Sequence, residues 1–137
     1  MGTEHSVFAS SFADPDDIRR FKACKAKGKS DQECFKVGDN GIGCWGDDVS
    51  EGTGPSCALP PEVMEFYWGS VEGAKHKQIV VRRYDKKAVV TIKDRMPHLK
   101  NLANAARIDL NPDACKALDI PIPAMHKVIW RKIEDGE

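Results

Sequence analysis

The chain has 137 residues, 41% of them hydrophobic and 31% charged, and its 21 basic side chains balance 21 acidic ones. That length suits one domain. The missing basic surplus excludes general electrostatic binding of nucleic acid or anionic membranes, leaving only a local basic patch possible, and the longest apolar runs, Ile79–Val81 and Val128–Trp130, fall far short of the roughly 18–20 residues that span a bilayer.

The opening Met1-Gly2-Thr3-Glu4-His5-Ser6 has no basic stretch followed by an apolar one, so no secretory signal peptide is visible. Met1-Gly2 with Ser6 formally fits a myristoylation pattern, which is short and common by chance. Asp14-Pro15-Asp16-Asp17 predicts a helix start, with Asp14 as cap, Pro15 in the first turn and acids at the positive helix end. Ile18 and Phe21 share one face, and Gly28 is the stop. Ser30-Asp31-Gln32-Glu33 is a capping-box signature for a second short helix to about Lys36. Residues 14–37 thus read as a helical hairpin. Cys24 and Cys34 flank its turn, and a disulfide between them is the preferred pairing in an oxidising setting. The partners of Cys44, Cys57 and Cys115 stay open, and an odd count leaves at least one thiol unpaired. No C-x-x-C occurs, which removes the main signal for zinc ribbons and thioredoxin-like redox sites.

Residues 38–56 read as a glycine-rich loop with glycines at 38, 41, 43, 46, 52 and 54. Its acids, Asp39, Asp47, Asp48 and Glu51, do not fit an EF-hand, because the twelfth place from Asp39 is Ser50; a solvated acidic loop is the reading. Phe66-Tyr67-Trp68 reads as a helix end packed on the body of the protein or as a sugar-stacking run. Gln78–Arg83 and Ala88–Lys93 predict a hairpin around a Tyr84-Asp85-Lys86-Lys87 turn. Asn111-Pro112-Asp113 starts another helix, Pro121 and Pro123 end it, and His126–Ile133 is the last strand, with Trp130 in the core.

Within residues 88–133 a strand delivers Asp94-Arg95-Met96-Pro97; Ile108-Asp109-Leu110-Asn111-Pro112, a capped helix and Ile129-Trp130-Arg131 follow. Over about residues 78–133 this order resembles the rare lipoprotein A (RlpA) family and the first domain of bacterial expansins. Asp94-Arg95-Met96-Pro97 is similar to the Asp-Arg-Gly-Pro of the first and the Asp-x-Tyr-Pro of the second. Asp109-Leu110-Asn111-Pro112-Asp113-Ala114 is similar to the expansin Asp-Leu-Ser-Pro-Asn-Ala, and Phe8–Phe12 to the opening strand. The resemblance implies a mainly β fold: a six-stranded double-psi β-barrel with short helices, the hairpin being an insertion.

The resemblance further implies peptidoglycan glycan strands as partner and substrate, and a lytic transglycosylase that cuts between N-acetylmuramic acid and N-acetylglucosamine with no cofactor or metal. Asp94 matches the RlpA-like catalytic Asp, and Asp109 the expansin Asp; capping of backbone amides is the alternative for both. Trp45, Arg95, Met96 and Ser11 are the expected sugar-binding residues. The chain departs from the family where Ser56 or Cys57 falls in place of a His before Thr-Leu-Pro. His98 is either its replacement or a solvent-facing loop residue, and Cys57 either a nucleophile or a buried thiol. The alternatives to the enzyme are an expansin-like glycan-binding module, and a bacteriophage-tail or secretion-delivered component. Each places the protein's action in the periplasm or cell wall.

Overall fold

The computed structural model describes residues 3–133; Met1-Gly2 of the myristoylation pattern lie outside them. Six strands, β1 (His5–Ser11), β2 (Ser56–Leu59), β3 (Gln78–Arg83), β4 (Lys86–Arg95), β5 (Ala106–Leu110) and β6 (Met125–Lys132), close a barrel in the order β1-β5-β2-β4-β3-β6. β1 runs parallel to β5 and β2 parallel to β4, while the other pairs are antiparallel. The barrel is therefore six-stranded and mixed, as the resemblance implies. Among the described residues, five short α-helices and one 3-10 turn (Leu99–Asn101) decorate it, the α-helices being α1 (Pro15–Ala26), α2 (Asp31–Cys34), α3 (Pro61–Trp68), α4 (Val71–Ala74) and α5 (Pro112–Ala117).

Alternation in the sequence decides which side chains fill the barrel. Val90 and Ile92 of β4 point in between exposed Val89 and half-buried Thr91, and Val128 and Trp130 of β6 flank half-buried Ile129. Ile79, Val81, Ile108, Leu110 and Leu59 complete the core. Each such side chain contributes about 1.5–3 kcal/mol by leaving water. Tyr67 of α3 meets the Trp130 ring edge-on and His5 stacks on the same indole, so the aromatic run is a helix end packed on the barrel, with Phe66 left 80% exposed.

The hairpin insertion is present, pinned by a Cys24–Cys34 disulfide with Cα atoms 5.6 Å apart. Ser30 Oγ accepts from Glu33 N, but α2 ends at Cys34 rather than near Lys36. Asp14 does not cap α1; its carboxylate turns back to accept from Ser11 Oγ. The β3–β4 turn is tighter than expected. Tyr84 adopts φ 53° and Lys86 and Lys87 already pair with Arg83 and Arg82, so β4 is longer and Asp94 lies within it. β2 carries no strand pattern in the sequence, because all four of its residues are buried.

The glycine-rich segment is pressed onto the barrel. A Cβ at Gly43 would stand 2.0 Å from Lys93 O, so only glycine allows this close approach to β4. Farther along, Asp113 of α5 accepts from Gly52 N and Gly54 N, and Asn111 both caps Ala114 N and accepts from Ser56 N.

Candidate functional site

Two β-bulges create the site. Cys57 pairs with Ile92, but the next residue, Ala58, pairs with Asp94 because Lys93 is bulged out. Likewise Phe8 pairs with Ala106 but Ala9 with Ile108, which brings Ser10 opposite Asp109. Ala58 also pairs with Asp109 on its other side. Four adjacent strands thus present Ser10, Asp109, Ala58 and Asp94 in one row. With strands about 4.8 Å apart, the two aspartate backbones stand roughly 10 Å apart across a single methyl group. Inward Ala9, Cys57, Ile92 and Ile108 belong to the core, so the row faces outward.

Asp109 is tied to Ser10, whose Oγ donates to its Oδ1. Burial dominates its acidity and pushes its pKa up to about 6; the Ser10 hydrogen bond opposes this, and the negative charges of Asp94, Asp39 and Asp14 add to it. Asp94 is also pushed above the usual carboxylate range, mainly by burial, against the pull of the Arg95 and Cys44 amides. Those amides donate to Asp94 Oδ1 at 2.8 Å and 2.9 Å. Asp39 accepts from Ala13 N and Gly41 N. The exposed Cys44 thiol sits beside Asp94, and burial followed by that carboxylate raises its pKa. Among the described residues, no three His, Cys, Asp or Glu side chains are arranged to hold a metal ion.

Of the sequence candidates, Asp94, Asp109 and Met96 come together. Met96 is buried against Ala58, Ala106 and Leu102, in a small apolar cluster that shares Ala58 with the carboxylate row. Arg95 is exposed next to Asp94. Ser11 points away from the row, donating to Asp14 and accepting from Ala124 N at 3.0 Å. Trp45 is half-buried on the core with Nε1 donating to Glu72 at 3.0 Å. His98 faces Glu62 of α3, Nδ1 to Oε2 3.3 Å. Ser56 and Cys57, at the family's His position, are both buried in the barrel wall, and burial pushes the Cys57 thiol up strongly. Sequence reasoning missed Ser10, Ala58, Gly43 and Cys44. A signal existed only for Ser10, in the Ser-Ser pair of the opening strand.

No protein-family model matches the sequence, and no curated protein matches it. Solved structures do match. An aspartate-to-asparagine mutant of Clavibacter michiganensis expansin in complex with cellohexaose aligns with a TM-score of 0.58 at 11% identity, over 98% of this chain and 52% of that one. The fold is a double-psi-like β-barrel. The chain spans about half the length of that expansin. Streptomyces papain inhibitor aligns over 98% of this double-psi-like barrel and 97% of its own chain, with a TM-score of 0.56 and 14% identity. At such identities the likeness carries the fold alone, and in this barrel the two aspartates occupy the outer face of β4 and β5. No helix among the described residues is long and apolar enough to cross a membrane.

Proposed function

We propose that this barrel is a glycan-active protein that cleaves peptidoglycan strands as a lytic transglycosylase, acting in the periplasm or cell wall. The supporting observation is the row itself: Asp109, its carboxyl pushed up to about 6, and Asp94 flank Ala58 on one face of the barrel. A general acid working near neutral pH needs such a pKa. Asp109 donates its proton to the glycosidic oxygen as the bond to C1 of the N-acetylmuramic acid breaks. The same sugar's 6-hydroxyl oxygen then bonds to C1, and its proton returns to Asp109. The products are a 1,6-anhydro end and a free 4-hydroxyl, and no water enters. Asp94, oriented by two backbone amides, supplies negative charge where the oxocarbenium character develops.

Purified sacculi incubated with the protein test this reading. The expected products are anhydro-muropeptides by mass spectrometry, lost in Asp109→Asn and reduced in Asp94→Asn. The rate should fall about tenfold per pH unit above roughly pH 6, as the acid loses its proton. No anhydro ends from the unaltered chain at any pH between about 4 and 8 rejects the enzyme.

A second reading rests on the near-complete overlap with the papain inhibitor: a barrel that binds a protease and cuts nothing. Residual papain activity against a fluorogenic peptide, with and without excess protein, separates the two. Binding of cellohexaose without cleavage would instead favour an expansin-like module.

A further inference from the structure

Trp45, expected as the sugar platform, packs on the core and is bonded to Glu72 instead. The strand register puts a different aromatic ring beside the carboxylate row. Along β1, Ser6, Phe8 and Ser10 point outward while Val7 and Ala9 face the core. Ser10 stands opposite Asp109 of β5 on one side and Met125 of β6 on the other, so Met125 extends the row by one strand. Phe8 is the next outward residue of β1, about 7 Å from Ser10. It lies diagonally across from Met125, because its own partner on β6 is Lys127. Phe8 is 40% exposed and Met125 45%. A lone exposed apolar side chain is ordinary, but two adjoining ones beside a polar row mark a binding surface.

The two flanks of Asp109 differ. Toward β2, Ala58 is buried, and so is Ala106, the β5 partner of Phe8; both cluster with Met96 and Leu102. Toward β6 the side chains reach water, so a substrate meets Asp109 from the β1–β6 flank, over a phenyl ring and a thioether. The barrel is closed and offers no unpaired strand edge there, which excludes a peptide adding as an extra strand. A pyranose fits better: its C–H face stacks on the electron-rich face of an aromatic ring, with its oxygens left at the rim. Lys127 holds Nζ 5.7 Å from the Phe8 ring centre, close to the roughly 6 Å limit of cation–π contacts. That contact is loose enough for a sugar to displace. Among the described residues no carboxylate pairs with this ammonium, and its three donors suit hydroxyl and acetamido oxygens at the rim of a stacked sugar.

We infer that Phe8 is the platform on which one pyranose ring of the glycan stacks, next to the sugar held at Asp109, with Met125 widening the floor and Lys127 donating to the sugar's oxygens. The inference deepens the glycan reading and rests on it, but it concerns binding and is tested with cleavage switched off. The full chain carrying Asp109→Asn is titrated by calorimetry with a tetrasaccharide of alternating N-acetylglucosamine and N-acetylmuramic acid. Saturable binding is expected. Adding Phe8→Ala or Phe8→Leu should weaken it at least about fivefold, while Phe8→Tyr, which keeps the ring, stays within about twofold. Phe8→Leu preserves an apolar side chain at this exposed position, so an unchanged thermal midpoint in that variant separates loss of the ring from loss of the fold. Undiminished binding by Phe8→Leu, a loss in Phe8→Tyr as large as in Phe8→Ala, or no saturable binding overturns the proposal. Binding that depends on the Phe8 ring, in a protein whose unaltered chain releases no anhydro ends, upholds the platform and rejects the transglycosylase. Anhydro ends released by the unaltered chain, with binding indifferent to Phe8, do the reverse.

Discussion

Asp109→Asn should stabilise the folded chain while abolishing the proposed chemistry. An aspartate whose pKa rises from 3.8 to about 6 on folding holds its proton more tightly in the native state. Its contribution to stability is complete below the unfolded value and is lost as pH rises through the folded one. The gap corresponds to about 3 kcal/mol lost by neutral pH. Asparagine keeps the shape and an oxygen for Ser10 Oγ, and takes one charge away from Asp94, Asp39 and Asp14. Urea unfolding followed by tryptophan fluorescence should therefore give a stability difference between the variant and the unaltered chain that is small near pH 4. It should grow by about 2 kcal/mol toward pH 7.5. A difference that stays constant with pH would mean that Asp109 titrates as an ordinary surface acid, and one that turns against the variant as pH rises would mean that folding holds its carboxyl below that range; either result removes the general-acid assignment.

Gly43→Ala should lift the glycine-rich strap from β4, because its Cβ would meet Lys93 O at 2.0 Å. A loss of about 1–3 kcal/mol is expected from the broken close packing and the stranded Asp94, and amide exchange at Cys44, now unpaired from Asp94, should speed up. Reducing Cys24–Cys34, which are 10 residues apart, should cost roughly 2–3 kcal/mol; exchange should rise in α1 and α2 and stay slow in β3 and β4. Iodoacetamide should label one thiol per native chain, Cys44, with Cys57 and Cys115 reacting only after unfolding. The labelling rate should keep climbing above the usual thiol range, since burial and Asp94 hold the Cys44 proton on.

The β-branched strands were legible in the sequence: β3, β4 and β6 announce their type, and in β4 the alternation also marks a half-buried strand. β2 is silent because Ser56-Cys57-Ala58-Leu59 is covered on both sides and so has no polar face to alternate with. The disulfide was legible because two cysteines bracket a capped turn. Asp94 and Asp109 could be singled out by their neighbours, but not their alignment, which depends on two bulges that each move the pairing by one residue. The same single step explains why Ser11 was named where Ser10 belongs. Trp45 was expected on an open loop, yet Gly43 brings its segment against the barrel and the indole packs on the core.

The row of Ser10, Ala58, Asp94 and Asp109 draws on four strands that no hairpin joins, and its two flanking ladders are parallel. No fragment of the chain owns it. Ladders between such distant segments form late, on a scale of roughly milliseconds to seconds, and until they close each aspartate is an ordinary, water-bathed acid. The raised pKa of Asp109 is thus a product of completed folding, and the carboxyl proposed as proton donor takes up its proton only when the last strand locks.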